Sequence, residues 1–576
     1  MNELSIWGEA GKASPQAVTA MYNEGLRFNN SVRLDDTVRA NENFFIGRQW
    51  EGIEANGLPT PQFNILKRVV GFTVAMVTTD NIKVSASPLS AAPQKDKLLK
   101  PAQVANDEFI SLMERNNIPF LIREFARNAA VDGDGCIFTY WEAEAETGQR
   151  AKGCIRSEVV DNTRVFFGNP SDRNVQDQPY IIISKRDQVR SAKIRAKNNG
   201  SDDWANIKPD SDDSTAVDGA KQTDDKVTVF MFFWRDDETR RIWAYECTKD
   251  CEIRKPVDIG IKLYPICWLN WDYVKDCYHG QAMITGLIPN QIFINKSWAM
   301  TMLSIMKAAY PKVIYDKTRL KEWNNGVGQA IGVNGGDMNT VAKILDPAMV
   351  SPQISEYINL AVTQTEQSMG ATSVALGDTR PDNTSAIIAL QRAAQTPNEL
   401  TKQNLYSAVE DLFRIYLEFM GEYYGVRMVD TEPSEQLNKA VEFAMLPQIT
   451  GTVPQEFDFS QFKEHPMTIK LDVGASSYYS EIASIQTLDN LLMQNKITIL
   501  QYLERIPDDY IPGRRSLIND IKAQTMPQLP TSDGAQPAEQ DNIAVDSGDQ
   551  MPIPTGGGFG ALQRKVLNEG TTEGLI

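Results

Sequence analysis

The chain has 576 residues, 42% hydrophobic and 23% charged, a balance that supports several packed cores and excludes a collagenous or wholly disordered protein. It carries 58 Lys and Arg against 75 Asp and Glu, a net charge of −17, so the overall composition cannot supply the phosphate neutralisation behind non-specific nucleic-acid affinity. Six cysteines in a chain this long exclude a disulfide-dense scaffold and read as reduced thiols, and no run of 18 apolar residues suggests a membrane span.

The first twenty residues lack the basic start and apolar run of a signal peptide, so a soluble protein made in the cytosol is expected. Residues 1–40 are polar, with irregular helical spacing around Val18, Met21, Leu26 and Val32, and read as a peripheral arm. Between 44 and 84, Phe63, Ile65, Leu66, Val69, Val70, Phe72, Val74 and Met76 recur at helical spacing with Lys67 and Arg68 turned outward, which predicts a core helix. A second helix is expected over 105–131, stopping at Asp132-Gly133-Asp134-Gly135, with a strand following over 136–141. Strands are predicted over 159–167 and 180–184, and residues 227–234 with 241–245 read as a hairpin, making 41–278 mixed α+β. Inside that region, residues 197–225 hold eight aspartates, three lysines and few large apolar groups, and are expected to be a mobile acidic insertion.

Residues 280–310 are apolar around most of a helix circumference, with a narrow polar stripe through Asn290, Ser297, Thr301 and Ser304. Lys296 and Lys307 interrupt a membrane reading, so a helix buried on two flanks and wetted along one line suits a subunit packed between identical neighbours. Residues 311–350 form a turn-rich excursion with a basic patch at Lys317, Arg319 and Lys321. A helix over 351–369 could pair antiparallel with the 280–310 helix. Residues 370–384 read as a loop of small and hydroxyl residues, and 385–424 as a long helix kinked at Pro397. A half-buried strand over 467–473 must find a sheet far upstream. Helices follow over 480–494, 498–505 and 513–524, the middle one with Thr498 and Gln501 at capping-box spacing, and residues 527–576 read as disordered.

The motifs point away from catalysis. No Walker A sequence is present, and Gly326, Gly328 and Gly332 miss the dinucleotide spacing and follow no βαβ pattern, so no cofactor is expected. Cys247, Cys251, Cys267, Cys277 and His279 could be assembled into a zinc site, but core thiols are favoured because neither pair has the usual two-residue gap. Asp202, Asp203, Asp210, Asp212 and Asp213 lack calcium-loop spacing and read as a solvated charge run, and Arg123 with Arg127 as structural ion-pairing groups.

The order of elements resembles the portal proteins of tailed bacteriophages. The likeness rests on Asn43-Phe-Phe-Ile-Gly-Arg-Gln-Trp50, the Asn64 helix, the helix-turn-strand from Ala129 to Tyr140, and the stretch from Tyr278 to Asn295. Gly370-Ala-Thr-Ser-Val-Ala-Leu-Gly377 and Asn383-Thr-Ser-Ala-Ile-Ile-Ala-Leu-Gln391 add the family's tunnel loop and the start of its long helix. The resemblance spans roughly residues 40–525.

It implies an N-terminal arm (1–40), a wing (41–278), a first stem helix (279–310), a clip (311–350) and a second stem helix (351–370). A channel loop (371–384), a long kinked helix (385–425), a return strand to the wing (426–479), crown helices (480–526) and a disordered tail (527–576) complete it. A ring, usually of twelve subunits, would sit at one capsid vertex of the virion after assembly in the host cytoplasm. It would serve procapsid nucleation, genome packaging and ejection, and head-tail attachment. Implied partners are double-stranded DNA, the terminase packaging motor, head-tail adaptors, and capsid and scaffolding proteins, with no membrane. Thr372, Ser373, Asp378, Thr379, Arg380 and Asn383 would face the channel, and Lys317, Arg319 and Lys321 would dock the motor and later an adaptor. Twelve copies would carry roughly −204 in charge, which would keep duplex DNA from sticking to the wall. The alternatives are another ring-forming virion connector or a Cys/His metal-binding enzyme.

Overall fold

Two antiparallel sheets and the helices between them share one core in the computed structural model, which describes residues 13–55, 57–79, 82–89, 95–149, 151–210, 225–309, 312–323, 331–344, 352–368, 398–431, 453–464, 467–473, 478–494, 496–506, 511, 514, 517, 518 and 521. The chain divides into two units, Met1–Ser484 and Ile485–Ile576.

Helix and sheet meet at a turn with no room for side chains. Helix α5 (Ile118–Asp132) buries Ile118, Leu121, Ile122, Phe125, Ala126 and Ala129, an unbroken i, i+3, i+4 face. It ends at Gly133, where φ is +101° and a Cβ would stand 2.7 Å from the Gly280 carbonyl oxygen, so only glycine fits. Strand β2 (Asp134–Glu142) begins at once and becomes the centre of a three-stranded sheet, between β3 (Cys154–Val159) and β9 (Ile266–Asn270).

The second sheet is an antiparallel meander of β4 (Val165–Phe167), β5 (Tyr180–Gln188), β6 (Lys226–Arg235), β7 (Ile242–Cys247) and β8 (Glu252–Asp258). The expected hairpin is β6 with β7, and Trp234 pairs with Trp243 across it. The expected strand over 159–167 is interrupted by a short 3₁₀ turn, Asn162–Arg164, so the chain leaves one sheet before entering the other.

Of the segment 1–40, expected as a peripheral arm, the described part from residue 13 forms helix α1 (Pro15–Ser31) and enters α2 (Leu34–Ile46), and α1 covers a sheet face. Val18 and Tyr22, one turn apart, seat on Phe166, Ile182, Phe230 and Phe232. β5 therefore needs apolar side chains on both faces, with Ile181 and Ile183 in the main core and Ile182 under α1.

The helix expected over 105–131 is two helices, because Asn117 takes a left-handed conformation (φ 48°) and Pro119 lacks the N–H that a continuous helix needs. The first is α4 (Lys95–Arg115); upstream, α3 (Ile65–Thr78) is the expected core helix, with Lys67 and Arg68 exposed. The acidic segment also begins later than its composition suggests. Residues 199–210 are held by Ile207, buried with Ala192 and Ala196 of α6 (Val189–Asn198), and by Asp210, which pairs with Arg186 and Lys249. Residues 211–224 lie outside the described residues.

The strand over 467–473 does find its partner far upstream: β1 (Ile82–Pro88) pairs antiparallel with Met467–Val473, placing Ser85 against a residue 385 positions away. A long helix, α9 below, buries Leu405, Val409, Leu412, Tyr416 and Phe419, as its periodicity predicts, and runs into a π-turn, Met420–Tyr424. Its described span is Glu399–Phe419; Pro397 and the expected kink lie outside the described residues. In the second unit, the helix Ile499–Arg505 opens with the expected Thr498–Gln501 capping box.

One carboxylate in the core is out of place electrostatically. Asp132 sits at the C-terminal end of α5, where the helix dipole disfavours negative charge. Arg127 of the same helix is claimed by Glu42, with nitrogen–oxygen distances of 2.5 and 2.7 Å, and reaches Asp132 only at 3.9 Å. Burial, and then the Glu42 charge, push the Asp132 carboxyl up to about 8. In the folded chain it holds a proton up to that pH, whereas in the unfolded chain it does so only below about 4. Unfolding therefore releases a proton across this window, and the stability contribution falls as pH rises from about 4 to 8. Asp132→Asn should flatten the dependence of melting temperature on pH over that range and raise the melting temperature at pH about 8 by several degrees. Melting profiles of variant and wild type that run parallel across the range would contradict this.

Candidate subunit interface on the helical hairpin

The residues from Tyr278 onward leave the sheet through a buried polar junction. Asp134, its side chain fully enclosed, accepts from the Asn270 amide (2.7 Å), the Gly280 backbone N–H (2.6 Å) and His279 Nδ1 (2.7 Å). His279 Nε2 lies 3.2 Å from Asn29 Oδ1, so α1 is tied to the same junction. Two residues of the zinc alternative are otherwise occupied: His279 by Asp134 and Asn29, and the Cys267 thiol by the Ala408 carbonyl. Among the described residues no group of three or more His, Cys, Asp or Glu is placed to hold a metal ion.

Helix α7 (Ile288–Ala309) follows, anchored by an amide ladder that the sequence reading did not find. The buried Gln291 side chain donates to the Phe63 carbonyl (2.7 Å) and to Asn295 Oδ1 (2.9 Å), and accepts from the Ile65 N–H (3.2 Å). Asn295 in turn donates to Gln49 (2.6 Å), one of the residues in the aromatic-Gly-x-Gln-Trp stretch. Asn64 caps α3 by accepting from the Lys67 N–H and donates to the Phe45 carbonyl, which locks the same corner. Two amides four residues apart in an otherwise apolar helix were the available signal.

Helix α8 (Pro352–Ser368) packs on α7, and Asn290 near the start of α7 donates to Thr365 near the end of α8, so the two run antiparallel. Arg68 of α3 reaches Glu366 at 3.4 Å. Between the two helices, strands Val313–Tyr315 and Ala342–Ile344 pair antiparallel.

The expected polar stripe is not the wetted line. Asn290 is exposed, but Thr301 is buried and Ser297 and Ser304 are half-buried, while several apolar residues are exposed. The reason is that the amide ladder and α8 take the polar side of the helix within the chain. Phe293 (53% exposed) and Met300 (67%) stand seven residues apart on the outer side. Beyond Thr301 the side that was seated on α3 runs clear of the body and presents Met302, Ile305 (56%) and Met306. On α8, Ile354, Tyr357 and Leu360 are exposed as well. An isolated exposed apolar residue is ordinary, but rows of them on both sides of one hairpin make a candidate interface.

Of the basic patch on the connection, Lys317 and Lys321 are exposed. Arg319 is engaged locally, with Asp316 at 3.6 Å and the Thr340 hydroxyl at 3.1 Å. Thr372, Ser373, Asp378, Thr379, Arg380 and Asn383 lie outside the described residues. Among the described residues no helix is long and apolar enough to cross a membrane.

A mixed α+β body with a helical hairpin left apolar on two sides defines a protein of the assembling class, one completed by association. Comparison with known families specifies which. The chain matches the Phage P22-like portal protein family over residues 30–252 and 235–463, and it belongs to that family. It is a tailed-phage portal protein, a structural component associated with the virion capsid. No curated protein matches it.

Proposed function

We propose that twelve copies close into a ring around double-stranded DNA at one capsid vertex, serving procapsid nucleation, genome packaging and ejection, and head-tail attachment. The observation that carries this reading is the exposure of apolar side chains on opposite sides of α7, because head-to-tail contacts on two faces, related by a rotation that closes, generate a ring. On this reading α7 and α8 are the stem, 311–350 the clip, 41–278 with the strand 467–473 the wing, and 480–526 the crown. Scaffolding and capsid proteins bind the ring during assembly, and force and ATP hydrolysis belong to the terminase motor.

The channel loop is 371–384, where short polar side chains let water lubricate the surface and Arg380 offers transient phosphate contacts. Lys317 and Lys321 are the clip cations free to meet the motor and later an adaptor, with Arg319 shaping the turn that presents them. Arg380→Glu should assemble normally but package or retain less genome in phage complementation. Lys317→Glu with Lys321→Glu should weaken binding of the purified motor about tenfold. Wild-type packaging and retention by the first variant, or unchanged motor binding by the second, would remove the corresponding role.

A further inference from the structure

We propose that the outward face of α6 and the aromatic cleft beside it form a docking surface for an acidic peptide segment of a protein partner, anchored by an apolar side chain. Helix α6 buries Ala192 and Ala196, which leaves Arg190, Lys193, Ile194 and Lys197 at i, i+3, i+4 and i+7 as one row facing away from the body. Arg195 on the same helix is taken by Asp187 and Glu246, at 2.9 and 3.1 Å. Among the described residues, Arg190, Lys193 and Lys197 have no carboxylate partner.

The first part of this row works against the helix that carries it, while Lys197 in the last turn suits the dipole. Like charges three and four residues apart repel, and Arg190 stands in the first turn, where the helix dipole disfavours a cation. A locally unfavourable cationic row in a chain of net charge −17 points to an anionic occupant.

The apolar groups decide which anion. Ile194, 51% exposed, stands in the middle of the row, and Trp204, 40% exposed, lies 5.7 Å from the Lys197 ammonium. One turn from Ile194, Asn198 lines a cleft of about 650 Å³, walled by Tyr140, Trp141 and Phe233 and bordered by the cationic Arg254. The cleft carboxylates Glu158 and Glu246 are already paired, with Lys185 and Arg195. A duplex backbone has no apolar group to place against Ile194, Trp204 or the cleft wall. An acidic peptide with an aromatic residue satisfies both the cations and the cleft.

The test uses full-length protein and fluorescence anisotropy of a short labelled peptide rich in Glu with one central Trp. Binding is expected to weaken about tenfold with Lys193→Glu plus Lys197→Glu, and by a similar factor when Ala replaces the peptide Trp, with the mass of the assembled protein unchanged. The proposal is overturned by absence of peptide binding, by equal affinity of wild type and variant, or by duplex DNA of the same charge competing as tightly. A change in assembled mass in the variant would assign the surface to a second copy instead. Tenfold tighter peptide binding on changing Asp212, Asp213 and Asp218 to Asn would assign it to the chain's own acidic segment.

Discussion

Met300→Glu and Ile305→Glu are each expected to convert the assembled protein to a folded single chain of 64.4 kDa. Met300 and Ile305 lie on different sides of α7, and both are more than half exposed when the chain is alone. Covering such a side chain contributes about 1.5–3 kcal/mol. An unpaired carboxylate in its place reverses the sign, because a buried charge without a partner is costly. The substitution recurs at every contact around a closed assembly, so the losses accumulate. Neither residue contributes to the core of its own chain, so the circular dichroism spectrum and melting of the single chain should stay near wild type. Light scattering reads the mass directly. If both variants assemble as the wild type does, α7 is not the interface.

The largest effect on stability is expected at Asp134. Its two carboxylate oxygens serve Asn270, Gly280 and His279, and Asn162 approaches at 3.4 Å. Asp134→Ala leaves the Gly280 N–H and His279 Nδ1 without their acceptor, while Asn270 keeps the Tyr278 carbonyl and Asn162 the Asp132 carbonyl, and the loss should cost about 3–5 kcal/mol. In a protein of 576 residues that corresponds to a fall in melting temperature of roughly 3–5 °C. The junction also orients the start of α7, so assembly should weaken in parallel. A variant that melts within about 1 °C of wild type would mean that the network contributes little beyond packing.

Legibility in the sequence followed the physics of each element. The β6–β7 hairpin, the face of α9 and the capping box at Thr498 were readable because periodicity and local hydrogen bonding determine them. Met467–Val473 was readable as a strand, but Ile82–Pro88 was not, since a short segment with two serines and a terminal proline has little pattern of its own. α1 was obscured because only two of its large apolar side chains, Val18 and Tyr22, are fully buried, and their partners lie far along the chain. The break at Asn117 was visible in Asn116-Asn117-Ile118-Pro119 and was outweighed by the apolar periodicity running across it.

The candidate interface was half legible. Apolar residues around most of α7 required neighbours, but periodicity cannot say which side the chain covers for itself. That depended on Gln291, Asn295 and Gln49, three amides whose ladder joins segments more than two hundred residues apart. The basic patch was legible as charge, but the local engagement of Arg319 with Asp316 and Thr340 followed from the turn geometry and not from composition.

The most direct test of the account is the light-scattering mass of the purified full-length protein, taken with negative-stain images of the same sample. Twelve chains of 64.4 kDa give roughly 773 kDa, and the account predicts closed rings with a central hole at or near that mass. A compact dimer, or an open filament of indefinite length, would contradict it, because neither arrangement covers both sides of α7 within a closed rotation.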